Sequence, residues 1–355
     1  MTDDRIESLI QNWSGETVVL RRDAPTRAWI IIAIHSTRRG PAAGGTRMKS
    51  YPDVPAALLD ALRLAEGMTY KMAAAELPRG GGKAVIALPS NFDPAARPAL
   101  LRRYGALIRQ LGGTYQTGPD LGTTPEDMDL IAETAAPYVY ARTPSRGGSG
   151  GSGPMTALGV YCGIRATWEW VSGQDSLAGV RVLVQGAGTV GGALIERLMG
   201  AGALVAFSDV AEQVVRRYRD ERGLTYVPPE QVYEAECDIF APCALGGILN
   251  SETIASLKCR AVAGAANNQL TEPEDAERLQ ARGILYAPDF VLNAGGAIAL
   301  TGLEALGWSP EDTELRVMEI GARLRRIYEV AAGQGITTEA AARHLAEARL
   351  ASSSG

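Results

Sequence analysis

Two lysines and an aspartate in the amino-terminal half have the side chains and surroundings that acid–base chemistry needs. Lys71 lies near the end of an otherwise apolar helical face in Thr69-Tyr-Lys-Met-Ala73, and Lys83 directly follows Pro78-Arg-Gly-Gly-Gly82. Three glycines ahead of a lysine let backbone and ammonium approach a ligand closely. Two ammonium groups beside one pocket each depress the other's proton affinity, and burial lowers it further. One can then hold a carboxylate while the other works as a base near neutral pH. Asp120, in Thr117-Gly-Pro-Asp-Leu-Gly122, falls in a second glycine-rich loop and is suited to relaying a proton. Surface lysines and a turn aspartate are the plain alternative. The two histidines, His35 after an apolar strand and His344 in a terminal helical stretch, read as structural or surface residues.

A second chemistry is written in Gly186-Ala-Gly188-Thr189-Val190-Gly191. The run follows an apolar strand, Val180 to Gln185, and opens a helix from Val190 to Met199; Asp209 ends the next strand, Ala203 to Ser208. The first glycine permits a tight turn, the second a close approach to a pyrophosphate and the third close helix–strand packing. The helix amino end supplies unpaired N–H groups to phosphate. An acid at Asp209 binds ribose hydroxyls and repels a 2′-phosphate, so NAD is expected over NADP. Two further loops are candidates. Gly40-Pro-Ala-Ala-Gly-Gly-Thr-Arg47 offers exposed amides and one arginine, and Gly264-Ala-Ala-Asn-Asn268 follows a strand. The asparagine pair either binds a polar substrate group or cofactor amide, or stabilises a turn with left-handed geometry.

These residues need a scaffold, and the patterning predicts an α/β chain. Trp29–Ile34 and Ala84–Leu88 read as strands, Val54–Ala75 and Pro94–Leu111 as helices, and Thr124-Pro-Glu-Asp127 as a capped helix start. Arg146-Gly-Gly-Ser-Gly-Gly-Ser-Gly-Pro154 is a loop or hinge between two patterned halves. Beyond it come a helix from Thr156 to Val171, the fingerprint, and short strands at 238–241, 261–263 and 284–286, which fit a mostly parallel sheet covered on both faces. Amphipathic helices from Glu311 and Thr338 complete the chain. The expected domains are 1–147, 148–308 as a doubly wound Rossmann-like unit, and 309–355 as helices packing back on the first domain.

Composition narrows the function classes. The 355 residues carry 35 Lys+Arg and 40 Asp+Glu, a net charge of −5, which gives no general pull toward nucleic acid or an acidic membrane. A hydrophobic share of 46% fills ordinary cores. No apolar run is long enough for a bilayer, and MTDDRIESLI lacks the features of a signal peptide. Cys162, Cys237, Cys243 and Cys259 show no paired ligand spacing, so no metal is expected, and a reducing cytoplasmic setting is the simplest reading.

Together the motifs resemble the glutamate/leucine/phenylalanine/valine dehydrogenase family. They are Gly40 to Arg47, Lys71-Met72, Pro78 to Lys83, Thr117 to Asp120, the fingerprint, Ala241-Pro242-Cys243-Ala244, Gly264 to Asn268 and Asn293-Ala-Gly-Gly296. The resemblance implies a substrate domain and a Rossmann-like domain with a cleft that closes on substrate, and a homo-oligomer. It implies that Lys71 holds the substrate carboxylate, Lys83 activates water and Asp120 exchanges protons with the amino group. Gly44 and Gly45 would line the substrate site, Thr156 would stand near the nicotinamide carboxamide, and Ala241, Pro242, Cys243, Asn267 and Asn268 would contact cofactor or substrate. The activity implied is NAD-dependent oxidative deamination of an L-amino acid to a 2-oxo acid and ammonium. By the same resemblance Ala43, Gly118, Ala297 and Leu300 line the side-chain pocket. Small residues at three positions, with Gly118 and Leu300 together, point to L-phenylalanine. Leucine or valine is the alternative, and a non-catalytic NAD-binding regulatory protein the alternative of another class.

Overall fold

The computed structural model describes residues 4–352. It contains two compact units. The first runs to Gly151 and adds Leu300–Gly307 and the chain from Ala346; the second comprises Ser152–Ala299 and Trp308–Leu345.

In the first unit the chain order is α1 (Asp4–Gln11), β1 (Thr17–Arg22), β2 (Trp29–Ser36), β3 (Ala42–Ser50), α2 (Val54–Ala74), β4 (Gly80–Leu88), α3 (Arg97–Gln110), β5 (Tyr115–Pro119) and α4 (Pro125–Ala135). The sheet order is β1-β2-β4-β3-β5, with β2 antiparallel to β1 and β4, and β3 parallel to β4 and β5. Side chains alternate across a strand, and both faces of β2 are covered. Ile31 and Ala33 join Val85, Ala87 and the α2 residues Ala57, Leu58, Ala61, Leu62 and Ala65. Ile30, Ile32 and Ile34 join Ile86, Tyr115, Leu101, Tyr104, Ile108 and Ile131 on the α3/α4 side. Each buried Ile, Leu or Val among them contributes roughly 1.5–3 kcal/mol on burial. Asp53 caps α2 by accepting from the Ala56 amide at 2.8 Å. Thr124 and Asp127 form a reciprocal capping box with Pro125 in the first turn of α4, as the sequence predicts.

Two expected loops are strands. Gly40 to Arg47 enters β3, which pairs on both sides, and Thr117 to Pro119 belongs to β5. Glycines leave no side-chain periodicity to read, so these strands are defined by their neighbours. β4 likewise begins at Gly80 and takes in the triple glycine and Lys83.

The second unit runs α5 (Gly153–Ser172), β6 (Arg181–Gln185), α6 (Thr189–Gly200), β7 (Leu204–Ser208), α7 (Glu212–Val215), β8 (Thr225–Tyr226), β9 (Ile239–Pro242), α8 (Ser251–Ser256), β10 (Ala261–Val262), α9 (Glu274–Ala281), β11 (Leu285–Tyr286), α10 (Asp289–Leu292), α11 (Gly295–Ala305), α12 (Pro310–Met318), α13 (Ile320–Gln334) and α14 (Thr338–Ala351). Helices α11 and α14 each carry residues of both units. The sheet is parallel throughout, in the order β11-β10-β9-β6-β7-β8. That is the doubly wound arrangement expected of the fingerprint-bearing half.

The carboxyl-terminal helices differ from expectation. Residues 308–345 cluster with the second unit and not the first. The reason is packing on α5: the Tyr328 and Thr167 hydroxyls are 2.7 Å apart, Arg325 reaches Glu169 at 3.0 Å, and Gly163 leaves the space that Leu324 and Leu292 occupy. Helix α5 also begins at Gly153, earlier than the expected Thr156.

Candidate active site and dinucleotide site

Lys83 is 4% exposed, and its Nζ lies 2.8 Å from Asp120 Oδ1. A lysine so buried needs a partner charge, and Asp120, the first residue after β5, provides it. The other carboxylate oxygen accepts from Arg47 Nε at 2.9 Å. Burial works to raise the Asp120 carboxyl, but the charges of Lys83 and Arg47 outweigh it and hold the group well below the usual carboxylate range. Arg47 in turn donates from Nη1 to Asp60 Oδ2 at 3.0 Å, and the Tyr51 hydroxyl donates to the same oxygen at 2.5 Å. Sequence reading left Arg47 as a lone arginine in a loop and missed Asp60 and Tyr51. No local pattern announces them, because Asp60 faces Arg47 only once α2 lies on the sheet.

Lys71 stands in the last turn of α2, half-buried. The helix end lies against the triple glycine. A side chain on Gly81 would strike the backbone and hydroxyl of Thr69, so the glycine is what lets α2 carry Lys71 this close to β4. The same Thr69 hydroxyl meets His35 Nδ1 at 2.9 Å, and His35 Nε2 meets the Ser14 hydroxyl at 3.2 Å, a structural tie between elements. Gly44 and Gly45 are close-approach positions on β3. A Cβ at Gly44 would strike the Gly82 carbonyl oxygen, and one at Gly45 would come within 2.9 Å of the Asp120 Cβ. Under this floor lies a buried hydroxyl set that the sequence did not reveal. Thr46 Oγ1 is 2.6 Å from the Tyr104 hydroxyl and 2.7 Å from Thr117 Oγ1, and Tyr115 donates to the Gly44 carbonyl at 2.7 Å. Burial pushes the Tyr104 hydroxyl up to about 12, so it remains a neutral donor.

The four pocket candidates separate. Ala43 pairs with Gln116, and Gly118 with Gly45, on adjacent strands of the first unit. Ala297 and Leu300 lie on α11, where Leu300 clusters with the first unit and Ala297 with the second. A methyl on Gly118 would meet only Tyr140, at 3.8 Å, an ordinary contact.

In the second unit the fingerprint takes the form its spacing predicts. Gly186 has φ +93°, and a Cβ on Gly191 would strike the Gly186 carbonyl oxygen. Gly188, the N-cap of α6, has no side-chain cap, and a Cβ there would meet nothing within 4 Å. The turn therefore presents open space bounded by unpaired helix N–H groups, followed by Thr189 and Val190. Gly153, at the amino end of α5, abuts Thr189, so two helix amino ends converge there. Thr156, in the first turn of α5, donates to the Ser152 carbonyl at 3.0 Å. Asp209 accepts from the Ala187 amide at 2.8 Å and from the Ala211 amide at 2.8 Å, which places its carboxylate beside the fingerprint turn with lone pairs remaining. A cavity of about 580 Å³ opens next to it, lined by Val210, Arg216, Arg219, Tyr226 and Pro229 among others. These features fit a dinucleotide.

Ala241 and Pro242 end β9, and the Cys243 amide donates to the Gln185 carbonyl at 2.7 Å, which sets all three beside the fingerprint strand. The asparagines of the 264–268 loop divide. Asn268 takes φ +51° and its carbonyl accepts from the Gly247 amide, a turn role. The Asn267 side-chain oxygen accepts from Asn293 Nδ2 at 2.9 Å, and that same Nδ2 reaches the Ala265 carbonyl at 3.1 Å. Asn293 thus orients Asn267, a function its presence in a motif did not disclose. Among the described residues, no group of three or more His, Cys, Asp or Glu is arranged to hold a metal, and no helix is long and apolar enough to cross a membrane.

Residues 19–136 match the Glu/Leu/Phe/Val dehydrogenase dimerisation domain, and 147–217 with 204–353 match the glutamate/leucine/phenylalanine/valine dehydrogenase domain. The chain belongs to the glutamate/leucine/phenylalanine/valine dehydrogenase family. It is an amino-acid dehydrogenase with a Rossmann-like dinucleotide domain. Among the family's members, the leucine dehydrogenase of Thermoactinomyces intermedius is 43% identical over 98% of this chain and 93% of its own. The phenylalanine dehydrogenase of Lysinibacillus sphaericus is 43% identical over 92% and 86%. The crystal structure of L-tryptophan dehydrogenase from Nostoc punctiforme superposes with a TM-score of 0.81 at 40% identity, covering 98% of this chain and 99% of that one.

These similarities correct the expectation of a phenylalanine dehydrogenase. Leucine dehydrogenases of the family match over a larger share of both chains than the phenylalanine enzyme does, and an L-tryptophan dehydrogenase of Nostoc punctiforme is more identical to this chain, at 46%. The pocket argument failed for a physical reason. A Cβ on Gly118 would meet only Tyr140, at 3.8 Å, so that position accepts a small or a slightly larger residue and its size is no signature of an aromatic substrate.

Proposed function

We propose that the protein catalyses the NAD-dependent, reversible oxidative deamination of an apolar branched-chain L-amino acid, leucine foremost, to its 2-oxo acid and ammonium. The observation that carries the reading is the buried Lys83–Asp120 contact of 2.8 Å in an amino-acid dehydrogenase fold. The leucine dehydrogenases that match along nearly the whole chain favour the substrate.

NAD⁺, when bound, supplies the hydride acceptor. The fingerprint glycines, Thr189 and Val190 would hold its pyrophosphate, with Asp209 at the adenosine ribose. Acids favour NAD over NADP: Asp209, Glu212 and Asp220 outnumber Arg216 and Arg219 around the adjoining cavity, and Arg219 is tied to Asp220 at 2.7 Å. Asn267 and Thr156 are assigned to the nicotinamide side of the site.

In the first unit Lys71 holds the substrate carboxylate as an ammonium. Loss of the α-hydride leaves the substrate as an iminium. Neutral Lys83 takes a proton from water as its oxygen adds to the iminium carbon, and the resulting ammonium stabilises negative charge on that oxygen. Asp120, 2.8 Å from Lys83, relays that proton to the amino nitrogen, and Lys83, neutral again, takes the hydroxyl proton as the carbon–nitrogen bond breaks; the ammonia leaves as ammonium with that proton and the 2-oxo acid is released. Ala43, Gly118 and Leu300 of the first unit are assigned to an apolar side chain. The chain is further proposed to form a homo-oligomer, supported by the match of its amino-terminal part to a dimerisation domain.

The test is kcat/KM for L-leucine, L-valine and L-tryptophan with NAD⁺ and with NADP⁺, alongside ammonium-dependent reduction of the matching 2-oxo acids. Leucine with NAD⁺ should lead. Tryptophan in front would select the second reading, which the 0.81 TM-score to the tryptophan dehydrogenase supports. Absence of deamination with every amino acid would reject both.

A further inference from the structure

The ion cluster at Asp120 extends beyond the groups assigned to chemistry. Each carboxylate oxygen is taken by a different cation: Lys83 Nζ lies 2.8 Å from Oδ1, and Arg47 Nε donates to Oδ2 at 2.9 Å. Arg47 is itself held by Asp60, at 3.2 Å to Oδ1 and 3.0 Å to Oδ2, and Asp60 accepts the Tyr51 hydroxyl. The side chains of Arg47 and Asp60 are 17% and 26% exposed, so this chain of contacts is largely shielded from solvent.

We propose that Arg47, Asp60 and Tyr51 form a positioning relay that reserves one oxygen of Asp120, Oδ1 beside Lys83, for proton exchange. The inference rests on the deaminase reading above and adds residues to its site. An arginine does not release its proton in a protein, so Oδ2 always faces an N–H donor. A proton arriving at Asp120 therefore goes to Oδ1, where it is shared with Lys83. Arg47 acts through Asp120 and is a positioning residue.

Charge balance makes the relay testable. Two cations, Lys83 and Arg47, meet two anions, Asp120 and Asp60. Other ionisable groups nearby include the hydroxyls of Tyr51 after β3, Tyr115 on β5 and Tyr104 on α3, all kept protonated chiefly by burial, and Lys49, whose ammonium lies 4.5 Å from the centre of the Tyr51 ring and is left unchanged in every variant. Neutralising Asp60 leaves net positive charge and makes the Lys83 proton easier to lose. Neutralising Arg47 leaves net negative charge and makes it harder to lose. A group that merely props up the fold would not produce shifts of opposite sign.

The experiment compares wild type, Asp60→Asn, Arg47→Gln and Arg47→Lys in two measurements. One is the pH profile of kcat. The other is the pH dependence of Lys83 trinitrophenylation, followed by peptide mapping, which reports the neutral lysine fraction without turnover. Asp60→Asn should move both profiles to lower pH and Arg47→Gln to higher pH, by about half a unit to one unit each. Arg47→Lys should stay near wild type in position, with reduced kcat. Shifts in the same direction, or Lys83 reactivity unchanged in both neutralised variants, would overturn the relay. A wild type that deaminates nothing while its Lys83 profiles still split would sink the activity reading and leave the relay standing.

Discussion

Lys83 and Asp120 meet at 2.8 Å although their strands are not neighbours: β3 lies between β4 and β5, and the contact passes over Gly45. Adjacent strands are about 4.8 Å apart, so the two side chains span roughly twice that spacing. A Cβ on Gly45 would come within 2.9 Å of the Asp120 Cβ and 2.6 Å of the Pro119 carbonyl oxygen. The missing side chain on the middle strand is what allows a strand-end carboxylate to reach a buried lysine.

Lys83→Ala should lower kcat by about 10²- to 10⁴-fold, the range typical of a lost general base. NAD affinity, measured by fluorescence titration, should change little, since the fingerprint lies in the other unit. Near-normal turnover would remove Lys83 from the mechanism.

Asp120 also links the site to stability. Its carboxyl is held below the ordinary carboxylate value, so its charged form stabilises the folded state. That contribution is fully present above about pH 5 and is lost as pH falls through the acid range toward the depressed folded value. Asp120→Asn leaves Lys83 and Arg47 facing each other without the anion and should cost about 3–5 kcal/mol at pH 7. Urea midpoints from pH 7 down to pH 3 should therefore fall less steeply in the variant than in wild type. Parallel curves would contradict the linkage.

The fingerprint glycines should separate stability from binding. Gly188→Ala points a methyl into open space, so the melting temperature should hold while KM for NAD⁺ rises several-fold. Gly191→Ala drives a methyl into the Gly186 carbonyl oxygen and should lower the melting temperature itself. Equal melting losses in both variants would mean that Gly188 serves the turn alone.

Asp209→Ala removes the acceptor for two backbone amides, at Ala187 and Ala211. A cost of about 1–3 kcal/mol in stability is expected from amides left without their partner. The preference for NAD⁺ over NADP⁺ should shrink in the same variant, measured as the ratio of kcat/KM values. An unchanged ratio would place cofactor choice elsewhere.

Gly118→Ala should fit without strain against Tyr140 and favour smaller side chains. The ratio of kcat/KM for L-leucine over L-tryptophan should rise by roughly tenfold, on the scale of about 1–3 kcal/mol per methylene. No change in the ratio would take Gly118 out of the pocket.

Much of this protein was legible one residue at a time. The strand–glycine–helix–acid order around Gly186 specifies a dinucleotide turn locally, because the glycines, the helix amino end and Asp209 act within one short stretch of chain. The Thr124–Asp127 cap and the apolar alternation of β2 are local for the same reason. The motifs carrying Lys71, Lys83 and Asp120 named the residues of the first unit, and the family resemblance gave them roles. What the tertiary structure decided was adjacency. β3, with its small residues and glycine pair, and β5, short and ended by Gly118-Pro119, carry little periodic signal and are defined as strands by pairing with neighbours. Arg47 reaches Asp60 only when α2 lies across the sheet, Asn293 finds Asn267 only when two loops meet, and α13 joins the second unit through its fit to α5. Local conformation follows from short-range sterics and hydrogen bonding, whereas contacts between distant segments depend on side chains fitting surfaces that exist only after the chain has folded.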